Sequence, residues 1–461
     1  MTQIIGVDVG GTFTDLISFD VNSDTVRIAK VLSTPENQAF GVMKALETAE
    51  TNLPSVETLI HGTTVTTNAL LERKISRVGL ITTRGFRDVL ELGRRTRPKP
   101  YGMTGIFECI IPREFRLEVK ERIDSDGEII EPLNKNDVTK AIKQLIENGI
   151  ESLIIHFLHS YKNDIHERIA SDIAKDLWPN SFITRGSELV TEFREYERGT
   201  TAAINAAIQP VLHNYIQRLQ QQLKEDKYSK DLLVMQGNGG TVSSSIVSDE
   251  AVKTVMSGPA SGVMAAAYTS TQCGFGHVVT YDMGGTSCDV GLIVDGIPQV
   301  TSELEIEYAM PIHVPMVDVH TIGAGGGSLA WVNDAGLLQV GPESAGAQPG
   351  PICYGRGGTK PTITDANLIL GRLNPESLLS VENPVSIETV QNKVIDDVGR
   401  DLGFKGMEET ASAIIRIANM NMAGALRLVS LARGYDPRDF VLFAFGGAGP
   451  LHAVSLATEL G

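Results

Sequence analysis

The sequence lacks an excess of positive charge, paired cysteines and a long uninterrupted hydrophobic run. Its 461 residues contain 40 Lys and Arg against 56 Asp and Glu, which gives a formal net charge of −16. Because nucleic acids and anionic membranes attract basic proteins, this balance argues against both as general partners. Backbone amides can bind phosphate without net positive charge, so a local anion site remains compatible with the composition.

The four cysteines are scattered and show neither a CxxC pair nor the spacing of zinc ligands. Reduced thiols of this kind are typical of cytoplasmic proteins. The first basic residue is Arg27, so the amino terminus lacks the basic segment of a secretory signal. The longest stretch without charged residues, 254–281, is interrupted by polar residues and Pro, which makes it a poor membrane span. These absences predict a soluble protein of the cytoplasm.

Glycine, in contrast, is abundant, with 46 residues in the chain. This is about one residue in ten, against a usual ~7%. The glycines cluster between apolar runs, for example at 10–11, 284–285, 323–327 and 446–449. Because glycine adopts positive φ and lets a backbone approach a ligand closely, two interpretations arise. Either the fold is rich in turns, or several loops converge on one anionic ligand.

The order of apolar patterns indicates the fold class. Alternating strand and helix patterns over residues 1–185 predict an α/β domain. A long helix rich in Ala and Gln is expected over about 192–223, with Pro210 placed to kink it. The remaining residues, 186–461, are expected to form a second domain. We expect that domain to be loop-rich from Val314 to about residue 372.

Two octapeptides form an internal repeat. Residues 8–15 read DVGGTFTD and residues 282–289 read DMGGTSCD, so five of eight positions are identical. Each lies between two apolar runs, which predicts a β-hairpin with a Gly-Gly turn. Successive N–H groups of such a turn form a nest for phosphate oxygens, and the Thr hydroxyl adds a donor. The predicted phosphate-binding residues are Gly10, Gly11, Thr12, Gly284, Gly285 and Thr286.

The aspartate that opens each octapeptide is a candidate for metal chemistry. Asp8 and Asp282 stand at strand ends, where a carboxylate can hold Mg²⁺ through water or orient a nucleophile. A third glycine-rich turn follows the strand VLFAF and precedes a helix expected to run to the last residue. Its glycines allow a purine and ribose to lie against the backbone at a helix N-terminus. The predicted adenosine-binding residues are Gly446, Gly447 and Gly449.

This order of two phosphate hairpins and an adenosine loop resembles the actin-like ATPase superfamily. The resemblance implies an α/β fold with two duplicated ribonuclease-H-like lobes around a nucleotide cleft, and ATP with Mg²⁺ as cofactors. A narrower resemblance, to the hydantoinase A / 5-oxoprolinase family, covers nearly the whole chain. The segments that carry it are 61–74, 79–95, 192–200, 257–263, 320–328, 340–373 and 432–453. Family members continue beyond the GGAGP loop, so a C-terminal part is expected to be missing here.

The family resemblance implies ATP-dependent hydrolysis of a cyclic amide or imide, such as a hydantoin, 5-oxoproline or a lactam. The A-type subunit is thought to phosphorylate the amide oxygen, which gives an imidate with a good leaving group. A B-type partner subunit then completes the hydrolysis, so an oligomeric assembly is expected. Catalysis of this kind depends mainly on positioning and on neutralising charge on the transferred phosphoryl group.

Three alternatives accompany this interpretation. Relatives in the family include subunits of acetone and acetophenone carboxylases, which implies activation of a ketone or bicarbonate instead. A non-catalytic ATP-binding module is compatible with the same fold. The third alternative is a dinucleotide site at GAGGGS, residues 323–328. That segment lacks the full GxGxxG pattern with its helix and acidic residue, and it leaves the paired hairpins unexplained.

Candidates on the substrate side carry both a functional and a structural interpretation. His61 and His320 follow apolar runs and are placed to donate to a substrate oxygen, or to serve as structural histidines. Arg94, Arg95 and Arg97 could bind a substrate carboxylate bidentately, although a solvated charge run is the more favoured interpretation.

Overall fold

The chain folds into two compact units. The first contains Met1–Gly258 and Val300–Met316, and the second contains Pro259–Gln299 and Val317–Gly461. The domain boundary expected at 185/186 lies inside the first unit and stays a prediction. The computed structural model describes residues 3–10, 13–34, 38–94, 101–102, 108–306, 310–346, 348–376, 378, 381 and 384–461.

The strands are numbered along the chain. They are β1 Gln3–Val9, β2 Phe13–Asp20, β3 Thr25–Leu32, β4 Val56–Thr63, β5 Val78–Thr83, β6 Arg116–Val119, β7 Arg122–Ile123, β8 Ile129–Glu131, β9 Ser152–His156, β10 Ile183–Arg185, β11 Leu232–Met235, β12 Thr241–Ser243, β13 Val278–Met283, β14 Cys288–Val294, β15 Ile297–Pro298, β16 Val300–Thr301, β17 Leu304–Glu305, β18 Pro311–Ile312, β19 Met316–Val317, β20 Val319–Ile322, β21 Ser328–Val332, β22 Leu338–Ser344 and β23 Val441–Phe445.

The helices are numbered in the same way. They are α1 Gln38–Thr48, α2 Val65–Leu71, α3 Val89–Leu92, α4 Lys135–Glu147, α5 Ile165–Leu177, α6 Gly186–Leu189, α7 Glu195–Glu225, α8 Ser257–Gln272, α9 Ile363–Ile369, α10 Ile387–Val394, α11 Met407–Leu431 and α12 Gly449–Leu460. No helix of the described residues is long and apolar enough to cross a membrane.

The first unit contains a six-stranded sheet in the order β12-β11-β4-β1-β2-β3. The strands β1, β2 and β3 are antiparallel neighbours, and β4 and β11 run parallel to β1. Alternating residues of β1, namely Ile5, Val7 and Val9, are buried in the core of the unit. This period of two is typical of a strand with one face on the core.

A second sheet of the first unit is entirely parallel, in the order β10-β9-β5-β6. Its strand β9 is buried along its whole length, as expected for a parallel sheet covered on both faces. Helix α7 packs against both sheets of this unit. Residues from its first half, such as Ala202 and Ala206, join the core around β5 and β9. Residues from its second half, such as Leu212 and Leu219, join the core around β1.

The segment Val300–Met316 belongs to the first unit although it is separated from the rest of that unit in sequence. Its side chains Ile312, Val314 and Met316 are buried in the same core as β1 and α7. The chain therefore passes between the units three times, after Gly258, after Gln299 and after Met316.

The second unit contains a five-stranded sheet with the path β15-β14-β13-β23, to which β20 is added through β14. The strands β13 and β14 are antiparallel, and β23 runs parallel to β13. Helices α9, α11 and α12 pack against this sheet, with Tyr281, Ile414 and Leu456 in their shared core. Each unit thus has an antiparallel hairpin whose first strand is joined on its other side by a parallel strand. The predicted α/β fold of duplicated ribonuclease-H-like lobes is confirmed.

The loops expected over residues 314–372 alternate with short regular elements. The stretch contains β20, β21, β22 and α9, and β20 joins the central sheet of the second unit. Three of them, β21, β22 and α9, are five to seven residues long, so their apolar periodicity is too short to be recognised between so many glycines. The long helix is confirmed as α7, which is continuous across Pro210.

Candidate functional site

The first octapeptide forms the predicted hairpin between β1 and β2. Asp8 and Asp15 lie directly opposite each other, and Val9 lies opposite Thr14. The amide of Gly10 donates to the carbonyl of Phe13 at 2.9 Å and closes the turn. Two residues of this turn, Gly11 and Thr12, lie outside the described residues, so their predicted phosphate contacts stay predictions.

The second octapeptide repeats this geometry between β13 and β14. Asp282 lies opposite Asp289, and the amide of Gly284 donates to the carbonyl of Ser287 at 3.0 Å. Each of these positions is 274 residues after its counterpart, since 282 − 8 = 289 − 15 = 284 − 10 = 274. The sequence repeat is therefore a structural repeat in both strand register and turn hydrogen bond.

Polar side chains support the first hairpin from neighbouring strands. The Ser33 hydroxyl donates to the carbonyl of Gly10 at 2.8 Å and lies 3.1 Å from the hydroxyl of Thr14. The Thr64 hydroxyl donates to the carbonyl of Val9 at 3.1 Å. Sequence reasoning missed Ser33, because a lone serine after a strand carries no pattern of its own.

Asp8 lies against a glycine of the neighbouring parallel strand. Gly62 is its register partner, and a Cβ at Gly62 would come within 2.8 Å of Asp8 Oδ1. Desolvation by the surrounding protein raises the pKa of the Asp8 carboxyl, and the negative charge of Asp15 raises this pKa further. The positive charge of Lys30 lowers it. In the second hairpin, burial raises the pKa of Asp289, opposed by the hydroxyl of Thr321 at 2.6 Å.

The segment GAGGGS supports the turn of the second hairpin. The amide of Gly326 donates to the carbonyl of Gly284 at 3.0 Å, and the amide of Gly327 donates to the carbonyl of Gly285 at 2.6 Å. A Cβ at Gly325 would come within 2.5 Å of the carbonyl carbon of Thr286. The glycines thus serve close packing of two backbones, an arrangement different from a dinucleotide fingerprint. Their dense clustering was the signal, although sequence alone did not indicate their partner.

The predicted adenosine loop lies beside Asp282 in the second unit. Gly446 has φ of +81°, and a Cβ there would come within 2.1 Å of Asp282 Oδ1. The amide of Ala448 donates to the carbonyl of Met283 at 2.9 Å, which holds the loop against the end of β13. Helix α12 begins directly afterwards at Gly449. The structure therefore brings the second hairpin, Asp282 and this loop together.

His61 lies in β4 and is enclosed by the core of the first unit. Its side chain is almost inaccessible, and its Nε2 is 2.8 Å from the hydroxyl of Tyr215. Burial lowers the pKa of His61 to about 4, although the backbone of Val7 opposes the shift. Burial likewise raises the pKa of Tyr215, so the pair is neutral at neutral pH. This geometry supports the structural interpretation, and a catalytic role for His61 stays a prediction.

His320 lies in β20 and is partly accessible. It forms a small polar cluster with Asp318 and Arg433: its Nε2 is 3.3 Å from Asp318 Oδ1, and Arg433 contacts both side chains. Burial alone would raise the pKa of Asp318, but His320 and Arg433 together hold it below its usual value. The cluster fixes His320 in position, and its proposed contact with substrate stays a prediction.

Arg94 is paired within the first unit. It contacts Glu197 at 2.7 Å and binds Glu303 through both terminal nitrogens, at 2.7 Å and 2.5 Å. Hydrogen bonding to Glu303 raises the pKa of this guanidinium above its already high value. These contacts occupy the fork that would bind a substrate carboxylate. Arg95 and Arg97 lie outside the described residues.

The residues present fit a nucleotide phosphate and its cation. Among the described residues, no atom beyond the chain neighbours lies within 4 Å of the position of a Cβ at Gly285 or Gly447, so ligand atoms can approach the backbone there. The carboxylates of Asp8 and Asp282 stand next to the turns, and such oxygens are ligands that Mg²⁺ prefers. Among the described residues, no group of three or more His, Cys, Asp or Glu side chains is arranged to hold a metal ion. Metal coordination by these aspartates stays a prediction.

The repeated sheets and hairpins define a duplicated α/β protein with an aspartate next to a glycine turn in each unit. Comparison with known proteins identifies it further. Residues 198–461 match the family described as Hydantoinase/oxoprolinase, and residues 4–178 match the N-terminal region of that family. The chain belongs to the hydantoinase/oxoprolinase family.

Two relatives illustrate the range of the family. The caprolactamase subunit alpha of Pseudomonas jessenii is 37% identical over 473 residues, which cover 99% of this chain and 67% of the relative. The acetophenone carboxylase gamma subunit of Aromatoleum aromaticum is 34% identical over 491 residues, which cover 99% of this chain and 65% of the relative. The chain therefore spans about two thirds of the length of these relatives.

Two solved structures share the whole fold. The ATP-dependent caprolactamase from Pseudomonas jessenii matches with a TM-score of 0.86 and 36% identity, over 100% of this chain and 68% of the other. Nucleotide-free acetone carboxylase matches with a TM-score of 0.84 and 28% identity, over 100% of this chain and 67% of the other.

Proposed function

We propose that this chain is the ATP-using subunit of an enzyme that hydrolyses a cyclic amide or imide of the hydantoin, 5-oxoproline or lactam type. The observation that carries the proposal is the repeated hairpin, with opposed aspartates and the same turn hydrogen bond in each unit. The similarity to an ATP-dependent caprolactamase over the whole chain supports the choice of reaction.

ATP bound here would supply a phosphoryl group that activates the amide oxygen of the substrate. The turn amide of Gly285 and the hydroxyl of Thr286 are proposed to bind phosphate oxygens, because the amides of Gly10 and Gly284 already donate within their own turns. Backbone donors fixed by the β-ladders need no reorganisation when charge develops on the phosphoryl group, which favours transfer.

The proposed roles in metal binding and adenosine binding follow from where the residues lie in the fold. Asp8 and Asp282 are proposed to hold Mg²⁺, because each presents a carboxylate next to a phosphate-binding turn. Gly446, Gly447 and Gly449 are proposed to bind the adenosine. This loop is held against β13, next to Asp282, and one of its glycines borders open space.

A partner subunit belongs to this proposal. The relatives reported above are named as subunits, alpha in caprolactamase and gamma in acetophenone carboxylase. We propose that a B-type subunit completes the hydrolysis after this chain has activated the amide. A cytoplasmic location is also proposed, supported by the four cysteines, all of which are free thiols.

A second candidate function is ATP-dependent carboxylation of a ketone. It is favoured by the 34% identity to the acetophenone carboxylase gamma subunit and by the TM-score of 0.84 to acetone carboxylase. In that reaction the same hairpins would serve activation of a ketone or of bicarbonate.

Release of phosphate from ATP distinguishes these functions. The chain is assayed with and without its B-type partner, in the presence of hydantoin, 5-oxoproline or caprolactam, and separately with acetone or acetophenone plus bicarbonate. We expect turnover that depends on a cyclic amide. Turnover that requires ketone and bicarbonate would establish the carboxylase instead. Phosphate release that responds to none of these compounds, despite ATP binding, would leave a non-catalytic ATP-binding module.

A further inference from the structure

Three charged side chains stand in line across the first three strands of the first unit. Asp8 in β1 is the register partner of Asp15 in β2, and Asp15 is the register partner of Lys30 in β3. The Nζ of Lys30 is 2.7 Å from both carboxylate oxygens of Asp15. It also lies 4.6 Å from the ring centroid of Phe13, whose carbonyl closes the hairpin turn. Lys30 is thus fixed beside the first hairpin.

The second unit places a neutral residue at the equivalent position. Asp282 is paired with Asp289, and Asp289 is paired in turn with Thr321 of β20. The Thr321 hydroxyl donates to Asp289 at 2.6 Å. Asp289 is therefore paired with a neutral hydroxyl, whereas Asp15 is paired with a positively charged ammonium group. The two hairpins share their geometry but differ in charge at this one position.

The Lys30–Asp15 pair is too exposed to be explained by folding stability. The side chains are 40% and 52% exposed, and ion pairs with this exposure contribute little to stability. Without Lys30, Asp8 and Asp15 would place two like charges directly across adjacent strands. Because Asp8 is the register partner of Asp15, the Lys30–Asp15 pair lies on the strand next to Asp8, at the base of the turn.

We infer that Lys30 is a positioning residue of the first phosphate hairpin, which neutralises Asp15 so that a nucleotide phosphate meets a single carboxylate there. The inference rests on the proposed function, in which this hairpin binds ATP. Lys30 acts through Asp15 and is not assigned a contact with the nucleotide.

A charge-exchange experiment tests this role. The dissociation constant for ATP is measured by calorimetry in the full chain and in Lys30→Thr, Asp15→Asn and the double variant, with Mg²⁺ and with a chelator. Lys30→Thr reproduces the residue of the second hairpin and is expected to weaken ATP binding about tenfold at low ionic strength. The loss should shrink as salt screens the exposed Asp15.

The double variant distinguishes charge from structure. This variant leaves Asp8 with no carboxylate opposite it and restores the net charge of the wild type. Its affinity for ATP is therefore expected to return to within about twofold of the wild-type value. Lys175→Thr is the matched control, since Lys175 pairs with Asp172 on α5, away from the first sheet. This control and Lys30→Arg are expected to keep wild-type affinity, and the melting temperature without nucleotide verifies folding.

The outcomes separate the two proposals. Wild-type affinity in Lys30→Thr would overturn the role of Lys30 while leaving ATP binding intact. A double variant that binds as weakly as Lys30→Thr would also overturn it, because the defect would then be structural. If Lys30→Thr does not fold, Lys30→Arg and Asp15→Asn decide: loss of affinity in Lys30→Arg would contradict the inference. If the wild-type chain binds no ATP, the proposed function and the inference fall together.

Discussion

Gly446 approaches Asp282 so closely that the loop has no room for a side chain at this position. The hypothetical Cβ would come within 2.1 Å of Asp282 Oδ1 and 2.7 Å of the Met283 carbonyl, and φ is +81°. Gly446→Ala must therefore move the loop or the carboxylate. We expect a loss of about 1–3 kcal/mol in the free energy of unfolding and a clear loss of ATP affinity.

The neighbouring glycine provides a matched control for this prediction. In the part of the chain that the structure describes, only the chain neighbours of Gly447 lie within 4 Å of its Cβ position, and its φ is not in the strained positive range. Gly447→Ala is expected to change stability by less than about 0.5 kcal/mol. Urea unfolding of both variants makes the comparison. Equal losses of stability in the two variants would contradict the steric argument.

The two aspartates that open the repeats allow a second prediction at the residue scale. Asp8→Asn and Asp282→Asn keep the shape of the side chain but remove the charge needed for Mg²⁺. Each is expected to lower ATP turnover by about 100-fold or more. The measurement is phosphate release across a Mg²⁺ titration, with the exposed Asp176→Asn on α5 as the control. Full turnover in both hairpin variants would remove the metal role proposed for them.

The sequence predicted the two hairpins but not the partners of His61 and Arg94. The octapeptides predicted both hairpins correctly because a Gly-Gly turn between apolar runs is a local signal. The environment of His61 depends on Tyr215, which is 154 residues away, and Arg94 is paired with Glu303, 209 residues away. Partners at such separations are chosen by tertiary packing, so no local pattern indicates them.

At the scale of elements, the glycine segment after β20 is a supporting element of the second hairpin. A Cβ at Gly325 would press on backbone atoms of Thr286 at 2.5 and 2.6 Å, and backbone cannot rotate away as a side chain can. Gly325→Ala is therefore expected to displace the turn and weaken ATP binding at least about tenfold.

The control for this prediction is a glycine in a helix. Gly424 lies within α11, and no described atom outside the neighbouring backbone of that helix lies within 4 Å of its Cβ position. Gly424→Ala is expected to stabilise the chain by up to about 1 kcal/mol, since alanine is the better helix former, with unchanged ATP affinity. Thermal unfolding and calorimetry test both variants. Unaltered ATP binding in Gly325→Ala would contradict the supporting role.

Elements with strong local signals were predicted well. The strand VLFAF is β23, and the helix α7 lies within three residues of the expected bounds. The strand β21 was missed, because five residues are too few to show a clear period. The strand before GAGGGS was predicted and is β20, but its pairing with β14 was missed, because long-range pairing leaves no local pattern. The assembly of GAGGGS with the second turn was missed for the same reason.

At the scale of the whole molecule, each unit has a buried histidine that destabilises it in acid. Burial lowers the pKa of His61 in the first unit to about 4, and burial with Arg372 nearby does the same for His452 in the second. The unfolded chain takes up these protons near pH 6.5, whereas the folded chain does so near pH 4. Above pH 6.5 these histidines do not lower the free energy of unfolding. As the pH falls from 6.5 toward 4, protonation of the unfolded chain lowers this free energy progressively.

The expected loss between pH 7.5 and pH 5 is about 2 kcal/mol for each histidine. Urea unfolding at several pH values measures it. His61→Gln removes the titrating group and should reduce the pH dependence by that amount. A pH dependence that is the same in His61→Gln and the wild type would show that His61 is not the source.

The return of residues 300–316 to the first unit has a consequence for dissecting the protein. A fragment that stops at Gly258 would lack Ile312, Val314 and Met316, and a void would open in the interior they normally fill. Neither unit therefore corresponds to one contiguous segment of the chain. A peptide of residues 300–316 added in trans would be the minimal complement for such a fragment.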